Sequence, residues 1–331
     1  MMKIVIDVMG GDFGPEPIIE GVIEALNEED FIPVLVGSKD DILLYLPEYY
    51  INKIEFYESS DVIEMSDIAT NVLRRKDSSI YKSIEYLMNN KANAIVSAGH
   101  SGATMALSTL KLKRITNILR PALATLMPNI ANKTKTLLLD VGAVTDCTPD
   151  NLYQFAIMGH TYANKILGLK NPKIGLLSNG EESSKGNQLT KEAFKLMSKL
   201  PYFKGNVEGN DIFTGDINVV VCDGYSGNIV LKTAEGVVST IFTLMKKQIK
   251  KSIPAKIGAL LMKKKVFKSL KKEIDYAEYG GAPLLGVNGY IIIAHGKSNS
   301  KAIKNAIFQA ILFSKSNINI HIENMMSKKI L

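Results

Sequence analysis

The sequence predicts a three-layer α/β/α protein in which a mostly parallel sheet lies between two layers of helices. Short apolar segments of strand length alternate with amphipathic helical segments along the chain. Such alternation is typical of crossover connections between parallel strands, with helices covering both faces of the sheet. The length suffices for a large hydrophobic core, and we expect one catalytic domain over residues 1–331.

The first half of the chain contains predicted strands at residues 3–8, 31–36, 53–57 and 93–96. Pro15 and Pro17 follow the first strand, at positions where a helix begins without losing a hydrogen bond. Helical spacing of apolar residues then predicts helices at 78–90 and 103–112. The order of strand, loop and helix is therefore present from the start of the chain.

The second half keeps this order, with predicted strands at residues 136–141, 173–177, 217–222 and 290–294. Helices are predicted from about Asp150, from about Asn187, after Asn228 and over about 301–313. Six strands end in loops that combine Gly with Asp, Asn, Ser, Thr or Lys, at residues 9–14, 97–102, 142–147, 178–187, 223–228 and 295–298. Because parallel strands share one carboxyl edge, we expect all six loops to meet there and form the ligand site.

The positive charge is concentrated in one segment. The formal net charge is +7, but residues 236–272 contain 11 lysines and no acidic residue. The remaining 29 basic and 33 acidic residues give a balance of −4. A local basic patch indicates an acidic partner or surface, and it argues against general nucleic-acid binding.

The composition is that of a soluble globular protein, with 46% apolar and 22% charged residues. Cys147 and Cys222 have neither metal-binding nor CxxC spacing, and so few cysteines fit a reducing cytosol. No apolar run has the length of a signal peptide or a membrane span. We expect no metal and no other cofactor, in a cytoplasmic protein peripherally associated with the inner face of the membrane.

Several common catalytic motifs are absent from the sequence. There is no GxGxxG after the first strand, no GxxxxGK[ST], no HExxH and no GxSxG. The loop before the helix at Asn187 instead packs two glycines, two carboxylates and hydroxyl groups around one cation, Lys185. Backbone N–H groups at a helix start favour anions, so Lys185 and Lys297 indicate a site for an oxyanion, most simply phosphate.

Seven segments in order resemble one bacterial enzyme family almost from end to end. They are DVMGGDFGPE (7–16), SAGHSGATMALS (97–108), RPALATLMP (120–128), LLLDVGAVTDC (137–147), GLLSNGEESSKGNQLTKEAF (175–194), VCDGYSGNIVLKTAEG (221–236) and EYGGAPLLGVNGYIIIAHGKSNSKAIKNAI (278–307). The chain thereby resembles the acyl-acyl carrier protein:phosphate acyltransferases of fatty acid and phospholipid synthesis. It departs from their pattern at His100-Ser101, where Asn-Thr is more familiar, and at 143–145, where Ala-Asn-Val is more familiar.

The resemblance implies a reaction and its partners. A long-chain fatty acyl group would pass from acyl carrier protein to inorganic phosphate, and the acyl phosphate would serve glycerol-3-phosphate acylation. The resemblance also implies a homodimer with a Rossmann-like fold akin to phosphate acetyltransferases and isopropylmalate dehydrogenases. A membrane glycerol-3-phosphate acyltransferase would be a further partner.

We expect Lys185 and Asn228 to be catalytic, with Lys185 neutralising phosphate and Asn228 donating to phosphate or to the developing oxyanion. Lys185 as a solvated loop lysine, and Asn228 as a residue that merely starts a helix, are the alternatives. The expected substrate-binding and phosphate-binding residues are Gly10, Gly11, Asp12, Ser101, Gly102, Gly142, Ser184, Gly186, Asn187, Asp223, Ser226, Gly227 and His295.

The basic segment at 237–272 is predicted to project from the domain. Residues 237–253 form an amphipathic helix that Pro254 ends, and residues 255–272 have no single apolar face. One interpretation is a dimer helix with solvated lysines, and another is a docking surface for acyl carrier protein. We favour contact with an anionic membrane surface, through Leu260, Leu261, Met262, Lys263, Lys264 and Lys265.

Three other functions remain open from the sequence. The first is a short-chain phosphate acyltransferase that uses acyl-coenzyme A. The second is a metal-dependent hydroxyacid dehydrogenase, which would need a carboxylate cluster that the sequence does not offer. The third is a non-catalytic, membrane-associated scaffold for lipid enzymes, which phosphate-dependent turnover would exclude.

Overall fold

The computed structural model describes residues 1–89, 91–131, 135–274 and 278–327. Within these residues, an 11-stranded sheet has the order β3-β2-β1-β4-β11-β10-β5-β6-β9-β7-β8. The strands are β1 (Lys3–Asp7), β2 (Ile32–Gly37), β3 (Glu55–Glu58), β4 (Ala94–Ser97), β5 (Ala122–Met127), β6 (Thr136–Leu139), β7 (Ile174–Leu177), β8 (Phe203–Val207), β9 (Val219–Val221), β10 (Gly281–Leu285) and β11 (Ile291–Ala294).

Helices cover both faces of this sheet. They are α1 (Glu16–Leu26), α2 (Lys39–Leu43), α3 (Glu48–Ile51), α4 (Ser79–Met88), α5 (Ser101–Lys111), α6 (Pro149–Lys165), α7 (Gln188–Met197), α8 (Gly224–Lys250), α9 (Ile253–Met262), α10 (Lys268–Ile274), α11 (Ser300–Lys315) and α12 (Ile318–Ser327). Short 3₁₀ turns lie at Ala69–Leu73 and Asp211–Phe213, and a π-helical turn at Lys263–Phe267 joins α9 to α10.

The central strands are short apolar runs rich in β-branched residues, which fit a pleated surface that is buried on both faces. In β9 and β11, for example, Val219, Val220, Val221, Ile291 and Ile292 are completely buried. The eight strands and the main helices that the periodicity predicts are all present, with small shifts at their ends. The predicted mostly parallel α/β fold is therefore confirmed.

The sheet contains two parallel groups of strands that run in opposite directions. One group holds β3, β2, β1, β4 and β11, and the other holds β6, β9, β7 and β8. Between the groups, three successive antiparallel pairings, β11 with β10, β10 with β5 and β5 with β6, reverse the strand direction.

The expectation that all six glycine loops share one edge is therefore wrong. The loops at 9–14, 97–102 and 295–298 follow the carboxyl edge of the first group. The loops at 142–147, 178–187 and 223–228 follow the opposite edge. The reversal arises because β5, β6 and β10 pair with their neighbours without a crossover helix, which would have kept the strands parallel.

The basic segment also differs from its prediction. The helix expected to start at residue 237 is the second half of α8, which begins at Gly224 and ends at Lys250. Ser252 caps α9, and Pro254 lies in the first turn of α9, where proline is well tolerated. Pro254 thus begins a helix and does not end one. In the part of the chain that the structure describes, no helix is long and apolar enough to cross a membrane.

Candidate functional site

A cavity of about 1410 Å³ runs along one face of α8. The α8 residues that line it recur at helical spacing, because residues three, four and seven apart lie on the same face. They are Asn228, Leu231, Lys232, Ala234, Glu235, Val238, Ser239, Phe242, Met245, Lys246 and Ile249. With a rise of about 1.5 Å per residue, the 27 residues of α8 extend roughly 40 Å. The cavity is therefore long and follows a single helix.

The other walls of the cavity are mainly apolar. The sheet contributes one wall through β5, β10 and β11. Another wall comes from α9, the π-helical turn and α10, which together we call the projecting segment (residues 253–274). The apolar side chains from these elements are Leu123, Leu126, Met127, Ala282, Ile293, Ala294, Ala259, Leu260, Phe267 and Ile274. Lys256 and Lys263 of the projecting segment also line it. Most of the surface that lines the cavity is therefore apolar.

Several polar residues line the cavity, and we call the part formed by Asp12, Ser101, Asn228, Lys232, Glu235, His295 and Lys297 its polar end. Asp12, Ser101 and His295 reach it from three loops at the edge of the first strand group, and Asn228 reaches it from α8. The backbone N–H of Asp12 donates to the carbonyl oxygen of Gly296 at 2.8 Å, which ties two of these loops together. Although the six glycine loops lie at two edges, Asn228 from the second edge lines the same cavity as these residues of the first edge.

His295 has a defined hydrogen-bonding state at this end. Its Nδ1 accepts a hydrogen bond from the backbone N–H of Lys297 at 3.1 Å. Burial lowers the pKa of His295, and the positive charge of Lys232 lowers that pKa further. The imidazole is therefore neutral at neutral pH, and because Nδ1 accepts, the ring hydrogen is on Nε2.

Lys232 and Glu235 face the same polar end. The Nζ of Lys232 donates to Oε2 of Glu235 at 2.9 Å, and both side chains are partly exposed. Sequence reasoning missed this pair. The signal was present, because Lys232 and Glu235 follow Asn228 by four and seven residues on a helix.

The start of α8 is held by Asp223 and Ser226. Asp223 caps the helix, since its Oδ1 accepts from the backbone N–H of Ser226 at 2.8 Å and its Oδ2 accepts from the Ser226 hydroxyl at 2.7 Å. Asp223 and Ser226 are outside the residues that line the cavity. They fix the helix on which Asn228 lies.

A buried carboxylate, that of Asp140, supports the same helix start. Its Oδ1 accepts from the backbone N–H groups of Leu123, Gly142 and Ala143, and its Oδ2 accepts from that of Val144 at 2.7 Å. Burial raises the pKa of Asp140 to about 6, and the four N–H donors oppose this increase. Gly142 is held in the left-handed region with φ of 140°, which favours glycine.

Gly10 and Gly99 bring two loops of the first strand group into close contact. A Cβ built at Gly10 would lie 2.6 Å from Cα of Gly99 and 2.8 Å from Oδ2 of Asp7, so only glycine fits there. Gly11 and Gly102 have more space. These three predicted residues shape the loops that carry Asp12 and Ser101, and they do not line the cavity themselves.

The Lys185 loop is folded on itself and exposed. The backbone N–H of Lys185 donates to the carbonyl oxygen of Glu182 at 3.0 Å, and that of Gly186 donates to Oδ1 of Asn179 at 2.9 Å. Asn187 caps α7 by accepting from the backbone N–H of Thr190 at 2.9 Å. None of the described residues from Ser184 to Asn187 lines the cavity. However, β7 and β9 are parallel neighbours, so this loop and the start of α8 emerge at the same edge.

The predicted membrane-contact residues lie on α9 and the π-helical turn. Leu261 is 78% exposed, and Leu260 is 71% exposed while also lining the cavity. The exposed neighbours are Met262, Lys263 and Lys265. The side chain of Lys264 is outside the described part of the chain.

The whole chain matches known proteins in sequence. The family described as "Fatty acid synthesis protein" matches residues 2–321. The chain is 64% identical over 329 residues to a phosphate acyltransferase of Sulfurovum sp. (strain NBC37-1), covering 99% of this chain and 100% of that protein. It is 62% identical over 327 residues to a phosphate acyltransferase of Campylobacter concisus (strain 13826), covering 99% of each.

Solved structures resemble the fold. A phosphotransacetylase from Streptococcus pyogenes has a TM-score of 0.65 at 18% identity, covering 96% of this chain and 94% of that chain. A branched-chain phosphotransacylase from Enterococcus faecalis V583 has a TM-score of 0.59 at 14% identity, covering 96% and 100%. At such identities the likeness concerns the fold alone, and it agrees with the Rossmann-like architecture expected from the sequence.

Proposed function

Because the chain belongs to the fatty acid synthesis protein family and is an acyltransferase, we propose that it transfers a long-chain fatty acyl group from acyl carrier protein to inorganic phosphate. The observation that carries this proposal is the long apolar cavity with one polar end. Its volume of about 1410 Å³ exceeds the roughly 300–1,000 Å³ of ordinary ligand pockets. An acetyl group would leave such a cavity almost empty, so the geometry favours a long acyl chain over the short-chain alternative.

The acyl chain would lie along α8, and its thioester carbonyl would lie at the polar end. Apolar side chains from Leu231 to Ile249 would then cover the chain, and each buried CH₂ contributes about 0.8 kcal/mol. Asn228 is at the polar end, where it is available to donate to the carbonyl oxygen or to phosphate. Binding energy from the chain would thus hold the reacting carbon in position.

The chemistry at the polar end is a displacement at the thioester carbon. A phosphate oxygen forms a bond to the carbonyl carbon, whose oxygen becomes an oxyanion in the tetrahedral intermediate. The C–S bond then breaks, the sulfur leaves with the electron pair as a thiolate, and the thiolate takes a proton from solvent. Positioning and donors to the oxyanion suffice for this reaction, since the thiolate is a good leaving group.

We keep Lys185 with Asn228 as the proposed catalytic residues. The support for Lys185 is its charge and the emergence of its loop beside the start of α8, after the parallel neighbours β7 and β9. The remaining proposed contacts divide into two groups. Asp12, Ser101 and His295 line the cavity, whereas the loop glycines and the α7 and α8 caps shape the loops around it.

The proposal extends to a membrane surface and to a second copy of the chain. Exposed Leu260 and Leu261 beside lysines suit insertion into an anionic membrane face on the cytoplasmic side. There a membrane glycerol-3-phosphate acyltransferase would use the acyl phosphate. On the side of α8 away from the cavity, Val237, Ile241 and Leu244 are exposed and suit a homodimer contact. The 331 residues would act as one catalytic domain with this projecting segment.

The test is the free thiol released from palmitoyl-acyl carrier protein with and without inorganic phosphate. Phosphate-dependent release, with an acyl phosphate that hydroxylamine traps, is the expected result. Release from acetyl-coenzyme A but not from the palmitoyl donor would establish the short-chain alternative. No release from either thioester would overturn the proposal and leave the scaffold function.

A further inference from the structure

We infer that Lys232 binds the phosphate substrate and that Glu235 is its counter-ion in the absence of phosphate. This inference rests on the proposed function, because it assigns one half of the substrate pair to the polar end of the cavity. Neither residue belongs to the glycine loops from which the phosphate site was expected.

The position of Lys232 on α8 suits contact with a ligand at the polar end. Lys232 lies one helical turn after Asn228, so both side chains project from the same face of α8 into the same cavity. Lys232 lines the cavity together with His295, Gly296 and Lys297, so its side chain and the loop at 295–298 face the same space. A ligand at the polar end therefore lies between α8 and that loop, within reach of both.

The charge of Lys232 also suits phosphate. A phosphate dianion needs cationic donors, and the described polar end offers two lysines, Lys232 and Lys297. His295 is neutral, so it offers a ligand the N–H of Nε2 but no positive charge. Lys232 is the better anchored of the two lysines, because it is on a helix that Asp223 caps and Asp140 supports. Apolar walls strengthen the attraction between this ammonium group and an anion.

The existing ion pair of Lys232 is weak. Lys232 and Glu235 are three residues apart on a helix and partly exposed, and such pairs contribute little to stability. Phosphate accepts stronger, charge-assisted hydrogen bonds. Replacing the contact between Lys232 and Glu235 by a contact between Lys232 and phosphate therefore costs little free energy. A carboxylate that stays close to the phosphate repels it. The positive charge of Lys232 then stabilises the negative charge of the attacking oxygen.

A purely structural role makes a different prediction. If the pair only stabilises the helix, replacing Lys232 lowers the melting temperature and leaves the KM for phosphate unchanged. If Lys232 binds phosphate, the loss is found in phosphate affinity. The two roles are therefore separated by measuring the two substrates independently.

The experiment compares Lys232→Ala, Lys232→Arg and Glu235→Gln with the control Lys199→Ala, which removes an exposed lysine elsewhere. We expect Lys232→Ala to raise the KM for inorganic phosphate about tenfold or more, with the KM for palmitoyl-acyl carrier protein little changed. Lys232→Arg should restore part of the affinity. Glu235→Gln should lower the KM for phosphate, since it removes a competing charge. An unchanged phosphate KM in folded Lys232→Ala, or a Glu235→Gln variant with weaker phosphate affinity, would overturn the inference.

A second readout separates this inference from the proposed function. The rise in melting temperature caused by inorganic phosphate requires no acyl donor, because a ligand that binds the folded state stabilises it. We expect this rise in the wild type and in Lys199→Ala, and we expect Lys232→Ala to lose it. An equal rise in Lys232→Ala contradicts the inference even if the enzyme turns over. Failure of turnover with all thioesters contradicts the proposed function and leaves this readout intact.

Discussion

Gly227 in the first turn of α8 lies directly against Asp140 at the end of β6. A Cβ built at Gly227 would stand 1.9 Å from the carbonyl oxygen of Asp140 and 2.8 Å from Sγ of Cys222. Gly224, one turn earlier, meets the carboxylate of the same residue. The start of α8, and with it Asn228, is therefore fixed by contact with a buried strand end.

Gly227→Ala should lower the free energy of unfolding by about 1–3 kcal/mol, because the new methyl group meets backbone and cannot be accommodated without displacement. It should also lower turnover, since Asn228 is the next residue. Gly236→Ala is the matched control on the same helix, where a Cβ meets nothing within 4 Å. There the gain in helix propensity should stabilise slightly. Chemical denaturation measures both variants, and equal stability would contradict the close packing.

Asp140 should make stability depend on pH. Its pKa is about 6 in the folded chain against the ordinary value of 3.8, so between these values the folded state holds more protons. The unfolding free energy then falls as the pH rises from about 4 to about 6, by roughly 3 kcal/mol at most. This stabilisation is fully present below the unfolded pKa and lost above the folded pKa.

The measurement for Asp140 is the stability difference between the wild type and Asp140→Asn across this pH range. Asparagine does not titrate, so the advantage of the wild type should shrink as the pH rises. An advantage that grows with pH would mean that the four backbone N–H donors outweigh burial. In that case the pKa of Asp140 would be lowered.

Lys185→Ala should fold normally and lose at least about tenfold in kcat/KM for phosphate, because a charge that acts on phosphate in the transition state is removed. Lys191→Ala removes an exposed lysine of α7 and serves as the control. Steady-state kinetics at varied phosphate check the result. Equal turnover in the two variants would make Lys185 a solvated loop lysine.

Glutamates at Lys263, Lys264 and Lys265 should weaken binding to anionic liposomes, because each lysine near such a surface contributes about 1 kcal/mol. Glutamates at three exposed lysines elsewhere in the chain, Lys170, Lys199 and Lys204, change the net charge equally and serve as the control.

Liposome sedimentation measures both variants. If both variants keep the same binding to anionic liposomes, this segment does not contact the membrane. Equal loss in both would attribute the contact to net charge alone.

Much of the fold was predictable because the buried strands are continuous apolar runs between glycine loops. Strands β5, β8 and β10 were missed because their sequences carry weak strand signals. For example, β8 contains Lys204, Gly205 and Asn206, and β10 contains Pro283. Because these strands were not predicted, their antiparallel pairings could not be predicted either. The reversal of strand direction that places the loops at two edges was missed for the same reason.

The sequence could predict a site residue only where a single loop motif pointed to that residue. Asn228 was found because it follows a glycine loop at a helix start. The cavity could not be predicted from the sequence. Its walls come from α8, the middle of the sheet and the projecting segment, and only tertiary packing brings these elements together. Lys232 and Glu235 lie within an unbroken helix, so loop chemistry gave no indication of them.

The chain-length profile of Val238→Phe tests whether the cavity along α8 holds the acyl chain of the donor. Val238 lines the cavity ten residues after Asn228, roughly 15 Å along the helix. Its neighbour Val237 is 52% exposed on the other side, so Val237→Phe is the matched control.

Phosphate-dependent thiol release would be measured from acyl carrier proteins bearing chains of increasing length. We expect Val238→Phe to lose activity with long chains and keep it with short ones, while Val237→Phe retains the wild-type profile. An unchanged profile in Val238→Phe would mean that the acyl chain lies outside this cavity.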